Sequence, residues 1–173
     1  LRDKLHDWGR DGLQSVVPAE LMQGLLGYPY SCPDMIGGGE YQQFTAQQDR
    51  LDPELFVRYA QAAALMPMMQ FSAAPWRVLP PNEARLCREA ALLHQRYADE
   101  IQQLARDAAQ TGEPIVRFME YVFPHQGLAH VTDAFMLGEN ILVAPVLKKG
   151  ARSRPICFPT GQWHGNDGTD ITG

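Results

Sequence analysis

Apolar residues recur at steps of three and four between residues 82 and 110, where Leu86, Ala90, Leu93, Tyr97, Ile101, Leu104 and Ala108 form one stripe. That period predicts a single long amphipathic helix, stopped by Gly112. Residues 15–26 predict a shorter one, with Pro18 in its first turn, Leu21, Met22 and Leu25 as its apolar face and Gly27 as its end. Between these two, Asp52-Pro53-Glu54 offers a cap, a first-turn proline and an acid at the positive end of the helix dipole, opening a helix that runs to about residue 66. Its alanines at 60, 62, 63 and 64 predict close approach to a neighbouring element.

The intervening segments carry a different pattern. Residues 28–33 are too rich in proline for a helix, and they run into Asp34-Met35-Ile36-Gly37-Gly38-Gly39, where side chains are removed at a tight turn or a close approach. Residues 68–78, with Gln70, Ser72 and Trp76, predict a buried strand or loop, and residues 113–118 a return of the chain to a sheet. After His130 the composition changes. Residues 141–147 and 156–158 predict short strands joined by a basic turn at 148–152, with Trp163 close behind. A ribbon of two strands does not stand alone. The expected fold class is therefore α/β, with an α/β part followed by the beginning of a β domain.

With 173 residues, 45% of them hydrophobic, the chain has the material for a sizeable core, which excludes a disordered tail. Its net charge of −5 and its lack of a Lys/Arg run argue against a nucleic-acid surface. The longest apolar stretch, residues 60–69, is interrupted by Gln61 and Pro67, so no membrane span is expected. The start, Leu1-Arg2-Asp3-Lys4, has neither an initiator Met nor a signal-peptide profile and is expected to continue a longer chain. Cys32, Cys87 and Cys157 are odd in number and widely spaced, which predicts ordinary buried thiols rather than a disulfide framework.

Several chemistries lack their residues. The cysteines have no C-x-x-C spacing, the five histidines form no close ligand set, and neither a P-loop nor a dinucleotide fingerprint accompanies the glycines at 37–39. There is no G-x-S-x-G elbow. No metal or other cofactor is expected. Carboxylates are the better place to look: Asp3, Asp7, Asp11 and Asp34 lie among Trp8, Tyr28, Tyr30 and Tyr41. Acids hydrogen-bond sugar hydroxyls and flat rings cover sugar C–H faces, although the same mixture also suits solvated loop acids.

Several blocks, taken in order, carry a resemblance. Asp3 with Trp8 five residues on, Gly24-Leu25-Leu26-Gly27-Tyr28-Pro29-Tyr30, Pro33-Asp34-Met35-Ile36-Gly37-Gly38, Glu54-Leu55-Phe56-Val57-Arg58-Tyr59 and residues 66–72 resemble glycoside hydrolase family 31, the retaining α-glycosidases. Residues 133–146 are similar to that family's junction between barrel and C-terminal sheet. Trp8-Gly9, Asp11-Gly12-Leu13 and the block from Pro33 to Gly38 are most similar to its myogenesis-regulating glycosidase branch. The resemblance implies a partial TIM barrel, its last strands and helices at residues 1–138, running into the start of a β-sandwich at 139–173.

It further implies a hydrolase that cleaves terminal α-linked hexosides, α-glucosides or α-galactosides, by double displacement between two carboxyl groups. Asp3 matches the family's general acid/base, kept protonated by a nearby ionised nucleophile and by burial against Trp8. Asp34 matches an aspartate that touches sugar hydroxyls, and Trp8 or a tyrosine covers a sugar face. Arg117 is similar to an arginine expected to serve as a structural ion-pair residue. Ser72 stands where many members have a histidine at the sugar, which puts the common glucose pattern in doubt and leaves room for another epimer.

The family nucleophile falls upstream of Leu1, and neither Asp7 nor Asp11 is assigned that role. These 173 residues alone are therefore expected to be inactive, with a carbohydrate substrate and the remainder of the same polypeptide as partners. The alternatives are a noncatalytic sugar- or protein-binding remnant of the barrel, an independent α/β binding domain, and an inverting glycosidase.

Overall fold

The computed structural model describes residues 4–38 and 51–173, so Asp3, Gly39 and Tyr41 lie outside the described residues. A 3-10 turn at Leu13–Ser15 leads into α1 (Val16–Leu25). There follow α2 (Pro53–Ala63), the short α3 (Pro75–Val78), α4 (Pro81–Arg96) and α5 (Ala98–Thr111). The rest is β1 (Val116–Arg117), a single turn α6 (Met119–Val122), β2 (Phe135–Leu137), β3 (Ile141–Val143), β4 (Gln162–His164) and β5 (Asp170–Thr172).

Two segments pair in parallel outside these strands, at Ile36 and Phe71. Ile36 N–H donates to Gln70 O at 2.8 Å and Ser72 N–H to Ile36 O at 3.0 Å. The chain between them contains α2, the long connection that parallel neighbours require. Asp52 caps α2 by accepting from the N–H groups of Glu54 and Leu55, and Tyr59, buried in the middle of the helix, donates its hydroxyl to Pro33 O. Ala60, Ala62, Ala63 and Ala64 are all fully buried, and α2 packs against α4. Small side chains let the two helix axes come close, as the run of alanines predicted.

Several expectations are corrected. The stripe from Leu86 to Ala108 is carried by two helices that meet at Tyr97, whose φ of −97° and ψ of 11° break the α-helical run. His94 and Arg96 sit in the last turn of α4 and Asp99 and Glu100 in the first turn of α5. Each pair suits the dipole of its own helix end. On α1, Leu21 is buried but Met22 and Leu25 are exposed; the inward face is Val16, Val17, Glu20, Leu21 and Gly24. Residues 156–158 form no strand. Trp163 instead lies within β4, which pairs antiparallel with β5.

Strands β1, β2 and β3 form an antiparallel sheet in that order, with Val116 opposite Leu137 and Phe135 opposite Val143. The β2–β3 hairpin turns at Gly138. All three residues of β2 are buried, as in a strand covered on both faces. Phe135 and Leu137 join the main core with α1, α2, α4 and α5, whereas Met136 joins a smaller cluster of Met119, Leu128, Val131 and Ala134. Arg117 is buried, donates through Nε to Pro114 O at 2.7 Å and pairs with Glu139 at 3.2 Å, as expected of a structural ion pair. Cysteines 32, 87 and 157 are free, but Cys157 is exposed, contrary to the expectation of three buried thiols. The architecture is mixed α/β; the described residues form neither a closed barrel nor a complete sandwich.

Candidate functional site

The segment ending at Gly38 is packed closely on both sides. Gly37 and Gly38 take φ of +100° and +113°, and a Cβ on Gly37 would lie 2.4 Å from the Phe56 ring and 2.5 Å from Ser72 Oγ. Only glycine lets α2 and the Ser72 segment close over this turn. Asp34, three residues earlier, has φ +78°. Its Oδ1 accepts the N–H of Met35 at 2.7 Å, and its Oδ2 accepts the N–H of Lys4. Each carboxylate oxygen thus holds one backbone donor and retains capacity for one more.

Asp34 lines a cavity of about 320 Å³ with Lys4, Glu20, Gln23, Cys32 and Gln70. Glu20, 1% exposed, accepts from Ser31 Oγ and from Gln23 at 3.3 Å. Burial pushes its carboxyl above the usual range, while Ser31, Lys4 and Gln23 pull it back. Burial likewise raises the Cys32 thiol. The wall therefore combines one fixed aspartate with one buried glutamate, an arrangement that can hydrogen-bond hydroxyl groups.

The other two expected sugar contacts, Ser72 and Trp8, do not line this cavity. Ser72 Oγ donates to Ile36 O at 2.7 Å, closing the parallel bridge, so its hydroxyl is left as an acceptor. Trp8, half-buried against the main core, donates Nε1–H to Asp52 Oδ2 at 3.0 Å, so its ring rather than its N–H is left for a ligand. Neither Tyr28 nor Tyr30 lines the cavity; Tyr30 donates its hydroxyl to Ala105 O on α5 at 3.1 Å. Asp7 Oδ1 accepts the Gly9 N–H at 2.6 Å and so belongs to the turn before Asp11.

Sequence reasoning missed Lys4, His6 and Lys149. The segment around residues 4–6 runs beside the Asp34 turn: Lys4 reaches Asp34, and a Cβ on Gly38 would lie 3.4 Å from His6 Cβ. His6 Nε2 accepts the Asp52 N–H at 2.9 Å, so the ring proton sits on Nδ1, which is buried without a partner among the described residues. Burial lowers the His6 pKa against the pull of Asp52 and Asp7. Lys149 Nζ donates to Asp52 Oδ2 at 2.7 Å. Burial alone would raise the Asp52 carboxyl, but hydrogen bonds from Lys149, Trp8 and Leu55 N–H together hold it at about 2. A lysine paired with a surface carboxylate was not legible from spacing, because 97 residues separate the two. Among the described residues no group of three or more His, Cys, Asp or Glu side chains is placed to hold a metal ion, and no helix is long and apolar enough to cross a membrane.

Residues 112–172 match the glycosyl hydrolase family 31 C-terminal domain. The chain is 41% identical to myogenesis-regulating glycosidase of Mus musculus, over 97% of its own length and 24% of that protein. It is 32% identical to SITS-binding protein of Tetronarce californica, over 93% of its length and 23% of the relative. A dextranase of Flavobacterium johnsoniae superposes over 98% of the chain and 21% of its own, with a TM-score of 0.81 at 24% identity, a likeness of fold. The chain thus spans about a quarter of the length of these curated relatives. The ordered blocks, the C-terminal match and this identity along nearly the whole chain agree: it belongs to glycoside hydrolase family 31.

Proposed function

We propose that the chain is the part of a retaining α-glycosidase that supplies a proton donor and part of the wall of a sugar site, for terminal α-linked hexosides such as α-glucosides or α-galactosides. The observation that carries this reading is the 41% identity, over nearly all of the chain, to a relative named as a glycosidase. In it, residues 1–138 are the last part of a (β/α)8 barrel and residues 139–173 the start of a β-sandwich. The parallel bridge between Ile36 and Phe71, with α2 between its two segments, is the connection a barrel uses.

In this reading Asp3 protonates the leaving oxygen while a carboxylate elsewhere in the polypeptide attacks the anomeric carbon. The two carboxyl groups stand about 5–5.5 Å apart, and Asp3 then takes a proton from water to release the sugar with its configuration retained. Asp34 accepts from sugar hydroxyls with the lone pairs left beside its two backbone bonds, Trp8 covers a ring face, and Ser72 offers an acceptor. The chain by itself turns over no glycoside, because it holds one of the two required groups.

The test uses the full-length protein with two substrates, a natural α-glycoside and an aryl α-glycoside whose leaving group needs no proton. Asp3→Asn is expected to lower kcat on the natural substrate by about 10²–10⁴-fold and far less on the aryl one. Asp11→Asn is the companion variant, since Asp11 is exposed on the same loop. If only the second variant shows the leaving-group dependence, the donor is Asp11 and the Asp3 assignment fails. A second reading, a noncatalytic binding remnant of the same barrel, is favoured by the relative named as a binding protein. Sugar binding by the full-length protein without turnover of any α-glycoside would select it.

A further inference from the structure

Asp52 stands at a junction that the candidate chemistry leaves unexplained. Its backbone N–H holds His6, and its Oδ1 caps α2 through the N–H groups of Glu54 and Leu55. Its Oδ2 receives both Trp8 Nε1–H and Lys149 Nζ. Two further bonds bring the 148–151 turn to the same helix: Gly150 N–H donates to Glu54 Oε1 at 2.8 Å, and Arg58 donates to Ala151 O at 2.9 Å. The loop that carries His6 and Trp8 is the one whose Lys4 N–H fixes Asp34. One carboxylate therefore joins three separate pieces of chain.

We propose that Asp52 is a positioning residue: by holding the Trp8 indole against the start of α2, it sets where the residue 4–12 loop stands relative to Asp34, and the 148–151 turn braces that arrangement through Lys149. Asp52 touches no substrate in this account, and the catalytic part of the inference rests on the glycosidase reading. An ionised carboxylate suits the junction because Trp8 and Lys149 offer only donors to it.

Asn at this position separates capping from positioning. Its carbonyl oxygen caps a helix as well as aspartate does. Its NH2 group, however, would meet the Trp8 N–H and the Lys149 ammonium donor to donor. In the full-length protein, Asp52→Asn should therefore lower the urea unfolding midpoint less than Asp52→Ala, which loses the cap as well. Amide exchange of residues 5–13 should speed at least tenfold, and kcat should fall at least tenfold with KM changed less than threefold, since a small misplacement of a reacting group is costly. Trp8→Phe, which keeps a ring and deletes the indole N–H, should reproduce the faster exchange.

The Asp52→Asn/Trp8→Phe double variant should exchange no faster in the loop than the worse single variant. Unchanged exchange in Asp52→Asn, or effects of the two substitutions that multiply, would overturn the junction. Faster loop exchange with kcat intact would overturn its positioning role. If the wild-type protein hydrolyses no α-glycoside, the glycosidase reading fails and the exchange measurements decide the junction alone.

Discussion

At Asp34 the backbone takes φ +78°, a region that costs a residue with a side chain about 1–2 kcal/mol. Aspartate tolerates it better than most residues because its carboxylate can bond locally, here to the Met35 N–H, while its other oxygen fixes Lys4. The same group thus holds the turn and faces the cavity. Asp34→Ala removes both bonds and keeps the unfavourable backbone, so it is expected to destabilise the full-length protein by about 1–3 kcal/mol. Asp34→Asn keeps one acceptor and a residue type that tolerates positive φ, so it should lose less than Asp34→Ala. Urea midpoints of the two variants check the order, and equal midpoints would mean that the carboxylate does not hold the turn.

Helix α1 shows how an element can be recognised while its orientation is misread. Its extent was legible from Pro18 and Gly27, but the apolar face assigned to Leu21, Met22 and Leu25 proved partly exposed. Hydrophobicity misled there because the inward face includes Glu20, made tolerable by Ser31 and Gln23, and Gly24, which has no side chain to count. Gly24 is needed for contact: a Cβ on it would lie 2.9 Å from both Pro114 Cβ and Val116 O of β1. Alanine at an ordinary helix position would stabilise by roughly 1 kcal/mol relative to glycine. Gly24→Ala is instead expected to destabilise by about 1–3 kcal/mol, because α1 must move off the strand. A raised thermal midpoint would show that the gap is wider than this packing implies. The break at Tyr97 had a signal that periodicity ignores, the change from His94 and Arg96 to Asp99 and Glu100, which marks the end of one helix and the start of another.

Over the whole molecule, the legible parts were those written within a few residues of each other: the Asp52 cap, the close-packing alanines, the Gly112 stop and the ordered family blocks, in which Asp34, Trp8 and Ser72 stand. The bonds that occupy the polar atoms of those three residues were not legible, since Trp8 finds its acceptor 44 positions away and Ser72 finds Ile36 36 positions away. The layering was equally hidden. The sheet of β1, β2 and β3 divides two hydrophobic clusters, and Phe135, Met136 and Leu137 alternate between them. The smaller cluster is closed by Phe123 and by Trp163 from the β4–β5 ribbon, with ring centroids 5.8 Å apart in an edge-to-face arrangement, and Trp163 Nε1–H donates to Pro159 O at 2.8 Å. If the sheet separates the two sides mechanically as well as spatially, loss of that indole should stay on one side. Trp163→Ala in the full-length protein is expected to cost about 2–3 kcal/mol, below the range for a fully buried tryptophan because this one is half-buried. Amide exchange should accelerate in β4, β5 and residues 119–134 while α2 and α4 keep their protection. Loss of protection that reaches α2 to the same degree would show that the two clusters open as one unit, and that β2 transmits disorder from one face of the sheet to the other.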